Sequence, residues 1–264
     1  MLFAPSGQNG NPGFGQRGRR KIFRVKSFLQ QLENQRVRRT PIYQLLLGMF
    51  SVFVLWGQTD TAPVPNGAGC ATLKGKVTVP AKKPFSAVKD YGSGPAFKVL
   101  PPDPPVAAVW VGSGQPTADP AKTEARRMEQ KGFQFRPSLL VVQTGTPVIF
   151  PNEDPLYHSV FSYSPIKRMD LGRFRQGEEP PSVVMDQPGA IQLFCEVHEH
   201  MRGTILVVET PWFAVTDPEG NFEIAGIPPG KHPVKIWLSP KETLEREVEI
   251  QAGEVLEVDW RKAP

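Results

Sequence analysis

The sequence predicts an all-β fold, a sandwich or barrel, from Leu73 onward. Three observations carry that reading. Short apolar or alternating runs recur along this stretch: Val106–Val111, Leu139–Val142, Pro147–Phe150, Ile191–Phe194, Thr204–Val208, Val234–Leu238, Val248–Ile250 and Leu256–Trp260. Turn formers separate them, at Gly145, Gln187-Pro188-Gly189, Asp217-Pro218-Glu219-Gly220, Pro228-Pro229-Gly230 and Gly253. A polar stretch, residues 112–131 (GSGQPTADPAKTEARRMEQK), marks a boundary between two groups of runs. Many short runs with turn signals at this spacing are the pattern of a sandwich or barrel.

Composition bounds what else the chain can be. Its 264 residues allow one or two domains, with real cores. The 29 Pro and 24 Gly make it loop-rich but not low-complexity. Two cysteines exclude a disulfide framework. The net charge of +5 is unevenly spread. Residues 1–41 hold nine bases and one acid, Glu33, leaving 22 bases and 25 acids for the rest. The basic character belongs to the tail, so no nucleic-acid partner is expected for the folded part, whose own surface would have to be basic.

The first elements are read in order along the chain. Residues 1–20, rich in Gly, Gln, Asn and Arg without a hydrophobic period, read as disordered. Residues 21–39 space Ile22, Val25, Phe28, Leu29 and Leu32 as on a helix among bases. This is either a surface-lying amphipathic helix or a solvated basic tail. After Pro41 comes IYQLLLGMFSVFVLWG, a 16-residue apolar run over 42–57 with only Gln44 and Ser51 as polar breaks. Bases precede it, and the next one is Lys74. Residues 42–58 are thus a signal or anchor helix. The positive-inside rule leaves the tail (1–41) in the cytoplasm and exports the chain from residue 59 onward. The expected location is periplasmic or otherwise extracytoplasmic, anchored in the cytoplasmic membrane by 42–58. Residues 59–72 read as a linker, and Cys70, behind Gly67-Ala68-Gly69, as an unpaired linker cysteine.

The chemistry gathers in one loop. Phe194-Cys195-Glu196-Val197-His198-Glu199-His200-Met201 holds two of the four histidines and one of the two cysteines. His158 follows the turn Asn152-Glu153-Asp154-Pro155. A thiolate and two imidazoles in a plane, with a weak axial thioether, suit a blue-copper site. Soft sulfur favours Cu(I), imidazole serves Cu(II), and a rigid β scaffold tolerates both. Bland alternatives stay open at each position. His158 can be a capping or core histidine, Cys195 a structural thiol or a partner for Cys70, and Met201 a core residue. His200 is expected to face solvent, His232 to be a turn residue, and Glu196 and Glu199 to be exposed.

On these residues the chain resembles a known family. FQFRPSLLVVQTGTPVIFPNEDPLYHSVFS and GAIQLFCEVHEHMRGTILVVE, within 133–208, look like a cupredoxin of the amicyanin/plastocyanin type, with the Cys-x2-His-x2-Met loop of amicyanin. The resemblance implies a Greek-key sandwich over 128–210 holding one type 1 copper ion. His158, Cys195 and His198 would be equatorial ligands and Met201 the axial one. Where the family has Asn after its first ligand histidine this chain has Ser159, so the tie between ligand loops must be looser or use another partner.

A second resemblance covers the flanks. FAVTDPEGNFEIAGIPPGKHPVKIW, with Val234, Ile236 and Leu238 alternating, looks like a carboxypeptidase regulatory-like, prealbumin-type β-sandwich. Its halves would be 73–115 and 211–262, with the cupredoxin inserted between them. The full expectation is therefore all-β: a cupredoxin sandwich plus a prealbumin-like sandwich, behind an N-terminal membrane helix. The function implied is a one-electron carrier serving an unidentified redox protein. The alternatives are copper storage, delivery or sensing, and a metal-free adaptor or carbohydrate-binding module. An enzyme is not expected, since copper oxidases and nitrite reductases need further histidine-rich sites and the chain has four histidines.

Overall fold

A computed structural model describes residues 69–81, 91–92, 94–112, 119 and 122–261. The basic tail, the apolar segment 42–58 and most of the 59–72 linker lie outside them. No helix among the described residues is long and apolar enough to cross a membrane. The described residues form seventeen strands and one short 3-10 turn, Pro95–Phe97, without an α-helix.

Four sheets stack face to face. The first is β14 (Asn221–Ile227), β1 (Ala71–Lys76) and β17 (Val255–Asp259), in that order. The second is β13 (Phe213–Val215), β2 (Ala108–Val111), β15 (Gly230–Ser239) and β16 (Glu242–Ile250). The third is β6 (Leu139–Gln143), β12 (Arg202–Val208), β11 (Gly189–Phe194), β8 (His158–Ser164) and β9 (Lys167–Phe174). The fourth is β10 (Ser182–Val184), β7 (Pro147–Ile149) and β3 (Arg126–Arg127). β4 (Glu129–Gln130) and β5 (Phe135–Arg136) form a small antiparallel pair.

Side-chain alternation explains the stacking. Successive residues of a strand point to opposite faces. In β6, Leu140 and Val142 join Val148, Ile191, Leu193 and Ile205 in the core between the third and fourth sheets. Leu139 and Val141 turn the other way and pack with Leu206, Val208, Ala108, Trp110 and Trp237, between the third and second sheets. In β2, Val109 and Val111 face Leu73, Val77, Ile224, Val234, Ile236 and Ile250, between the second and first sheets. Val77 and Val234, far apart in sequence, thus share one core. Strands buried on both faces read as unbroken apolar runs, which is why Leu139–Val142 and Ala107–Val111 lack polar interruptions. Each buried Val, Leu or Ile contributes roughly 1.5–3 kcal/mol relative to exposure.

Pairing fixes the ends that matter for chemistry. β11 and β12 run antiparallel in a register that ends at Phe194 opposite Arg202. β8 joins β11 at Phe161 opposite Phe194, so the start of β8 lies beside the end of β11. β12 also pairs in parallel with β6, along Leu139–Gln143.

The turn at 217–220 forms where the sequence places it. Gly220 donates its N–H to the Asp217 carbonyl at 3.0 Å, and the Asp217 side chain accepts from Asn221 N–H at 2.8 Å. Gly220 sits at φ 88°, and a Cβ there would meet the Val77 carbonyl oxygen at 2.0 Å. Gly220→Ala therefore adds left-handed strain and pushes β1 away from β14. Urea unfolding is expected to show a loss of about 2 kcal/mol or more, with an unchanged metal-site signature per folded molecule.

Candidate metal centre

His158 opens β8, Cys195 follows the last residue of β11, and His198 lies in the loop that leads into β12. The topology sets these three at one end of one sheet. Their exposures are 0% for His158, 3% for Cys195 and 2% for His198. The Nδ1 atoms of the two histidines are 2.9 Å apart, and Cys195 Sγ stands 3.9 Å from each. The three ligand atoms lie within 4.8 Å of one another. Met201 closes the loop by donating its N–H to the His198 carbonyl at 2.9 Å. Its side chain is fully buried in the same core cluster as Cys195. Both cysteines are free, so the pairing of Cys195 with Cys70 does not occur.

Each histidine is oriented by what surrounds it. His158 Nε2 lies 3.0 Å from Asp154 Oδ2. The carboxylate also accepts N–H groups from Gly132 at 2.7 Å and Phe133 at 2.8 Å. Gly132 and Phe133 both adopt positive φ, 63° and 57°. That pair of left-handed residues aims consecutive N–H groups at one anion, in the manner of a backbone nest. A carboxylate only accepts, so Nε2 carries a proton towards Asp154 and Nδ1 turns its lone pair to the centre. The Phe133 ring meets both imidazoles edge to face, at 5.5 Å from His158 and 5.2 Å from His198.

Ser159 supplies the tie between loops. Its N–H points at Cys195 Sγ from 3.5 Å, and its hydroxyl accepts the Glu196 N–H at 2.8 Å. The Ser159 hydroxyl thereby ties the start of β8 to the residue after Cys195. Glu196 and Glu199 are exposed. His200 is not a free surface residue: it is half-buried, with Nε2 3.1 Å from the Phe133 carbonyl oxygen and Nδ1 3.4 Å from the Tyr91 hydroxyl. His232 lies in β15, 2.8 Å from the Pro228 carbonyl oxygen, remote in sequence from the cluster.

The electrostatics arise from these contacts. Burial pushes the Cys195 thiol up, but its hydrogen-bond contacts with His158, His198 and the Ser159 N–H outweigh it and bring the pKa down to about 5. Burial disfavours the His158 imidazolium, while Asp154 and Cys195 favour it more, so its pKa is raised. Burial likewise raises Asp154, and His158 with the two backbone N–H groups more than reverses it. The donor set is a low-pKa thiolate and two inward-facing nitrogens in a dry pocket. It fits a soft or borderline transition metal such as copper and ill suits Mg or Ca, which want oxygen.

Sequence reasoning finds the Cys/His/His set by its spacing. It passes over Asp154, legible only as part of an Asn152–Pro155 turn, although its position four residues before His158 is a usable signal. Phe133 and Tyr91 carry no such signal, because an aromatic in a loop reads as core.

No protein-family model matches the chain, and no curated protein matches it in sequence. Solved structures do resemble it in part. A copper-containing nitrite reductase from Thermus scotoductus SA-01 is 24% identical with a TM-score of 0.32, over 36% of this chain and 26% of the enzyme. The chain thus spans about a quarter of that enzyme's length. A reduced Cu(I) form of an amicyanin variant is 18% identical with a TM-score of 0.30, over 38% of this chain and 97% of amicyanin. A purple cupredoxin from Nitrosopumilus maritimus is 22% identical with a TM-score of 0.26, over 28% of this chain and 81% of that one. The chemistry of the site rests on its own geometry.

Two outcomes test that geometry without metal. In a Cys70→Ser chain, the ultraviolet absorbance of the Cys195 thiolate is expected to persist at neutral pH and vanish with a midpoint at pH about 5. The thiol pKa lies below its ordinary 9.0, so ionisation favours the folded state. That contribution is full above the unfolded value, shrinks as pH falls, and is gone below about 5. Second, Asp154→Ala strips the acceptor from two backbone N–H groups and one imidazole. It is expected to cost about 3 kcal/mol in chemical unfolding, and Asp154→Asn less.

Proposed function

We propose that this chain is an exported or membrane-tethered type 1 copper protein that carries single electrons. The observation behind it is the convergence, in a water-excluded pocket, of the Cys195 sulfur and the Nδ1 atoms of His158 and His198. In this reading those three residues would hold the metal, and Met201 would add a weak thioether sulfur. Copper bound there would supply a Cu(I)/Cu(II) couple.

The rest is done by the chain. Asp154 and the Gly132–Phe133 backbone fix the His158 ring before any ion arrives. The Ser159–Glu196 bond holds β8 and the Cys195 loop at constant separation. A donor set that barely moves between oxidation states keeps reorganisation small, as one-electron exchange requires. Every residue of the set is buried, which argues for electron exchange over hydrolysis or oxygen chemistry, since those need an open coordination position. The partner is another one-electron redox protein. The location rests on the bases ahead of the apolar segment 42–58.

Loading the purified chain with Cu(II) is expected to give intense thiolate-to-copper absorption in the visible region, and Cys195→Ser to abolish it. Met201→Leu should keep the copper and raise the reduction potential in voltammetry. An unshifted or lowered potential would exclude the axial thioether. A colourless complex that binds only Cu(I) would point instead to storage or delivery, and no uptake to a metal-free module.

A further inference from the structure

Tyr91 covers the centre from outside the metal-binding loop. Its ring meets His198 edge-on, with centroids 4.5 Å apart and planes at 76°. It stacks on Phe133 at 4.9 Å and 15°. On its outer side it is 39% exposed, whereas His198 beneath it is 2% exposed. Among the described residues that touch His198, it is the one that combines ring contact with a substantial solvent face.

His200 latches this ring. The Phe133 carbonyl only accepts, so His200 Nε2 carries the proton of that 3.1 Å bond. His200 Nδ1 is then left as an acceptor for the Tyr91 hydroxyl at 3.4 Å. The backbone holding Tyr91 is fastened along the stretch that carries Phe133. Tyr91 donates its N–H to the Phe97 carbonyl at 3.1 Å, and Leu100 donates to the Gly132 carbonyl at 2.9 Å. Gln134 Nε2 donates to the Leu100 carbonyl at 3.1 Å, Ser138 N–H donates to Asp103 at 2.8 Å, and Arg136 is paired with Asp103. A Cβ on Gly132 would strike the Leu100 side chain at 2.4 Å, so the two segments lie in close contact.

We infer that Tyr91 is a lid that decides what reaches the metal centre. It denies small coordinating ligands the open edge of His198. It leaves its own exposed ring as the surface across which a protein redox partner exchanges electrons. That exchange is outer-sphere: no bond forms or breaks, one electron leaves the reduced partner, Cu(II) becomes Cu(I), and Tyr91 keeps its proton. The electron-exchange half rests on the copper reading; the shielding half does not.

The test uses the full chain in detergent, first without metal. Diethyl pyrocarbonate acylates accessible imidazoles, and peptide mass mapping separates His198 from His158, His200 and His232. His198 is expected to react far more slowly in the folded wild type than in urea. In Tyr91→Ala its rate should rise several-fold, in Tyr91→Phe it should stay slow, and His232 should be unchanged in both. Wild-type His198 reacting as fast as in urea overturns the lid without recourse to any variant, and so does equal reactivity in wild type and a folded Tyr91→Ala. The copper-loaded chains are then exposed to azide and to imidazole. Only Tyr91→Ala is expected to change its visible and electron paramagnetic resonance spectra; a wild type that changes equally overturns the lid. A chain that takes up no copper but shows Tyr91-dependent protection keeps the shielding and loses the electron-transfer reading. Copper colour without protection does the reverse.

Discussion

A thiolate buried between two imidazoles is the constraint on which this molecule turns. Such a sulfur is costly to keep charged away from water, and here burial alone would raise its pKa. Contacts with His158, His198 and the Ser159 N–H reverse that, and each needs a fixed position. His158 is set by Asp154, and His198 by the short loop closed at Met201. Ser159 is set by β8 and by its bond to Glu196. At 2.9 Å the two Nδ1 atoms are placed to share one proton, because two lone pairs or two N–H groups at that distance would repel.

The fold supplies the rigidity by burying its central sheets on both faces. β6 and β12 are packed on one side by the sheet of β7 and on the other by β2 and β15. A strand with neighbours above and below cannot shift without disturbing two cores, and interiors at crystal-like density resist such shifts. Cys195 and Met201 lie in the first of these cores and flank the ends of β11 and β12. Motion of the metal loop is thus restrained by strands anchored on both faces.

How far the sequence discloses this depends on the physics of each part. Continuous apolar runs at Val106–Val111 and Leu139–Val142 are plain because both faces are dry. The hairpin of β8 and β9 is not, since Lys167–Phe174 reads KRMDLGRF, with charges on an exposed edge strand beside half-buried Met169 and Leu171. Cys195 and His198 are legible because one short loop holds them three residues apart. Asp154 is hidden by its place in an ordinary turn, and its role depends on Gly132 and Phe133 folding back over more than twenty residues. The expectation of a solvent-facing His200 assumes an extended loop. The loop turns instead, and Tyr91, more than a hundred residues away in sequence, takes up the imidazole.

That last contact changes how the two halves of the chain relate. A metal-binding loop needs only the strands on either side of it to bring cysteine and histidine together. Tyr91 belongs to neither β11 nor β12. It lies between β1 and β2, strands that build the first and second sheets, and the chain returns from it along 94–103 beside 132–138. The two strands that bracket Tyr91 in sequence sit in the first and second sheets, β1 beside β14 and β2 beside β15. The contacts that fix Tyr91, to His200 and through Phe97 and Leu100 to Gly132, come from the same stretches as the cysteine and the histidines. Water at the His198 edge would raise the local dielectric and weaken every contact to the sulfur, and the Tyr91 ring occupies that edge.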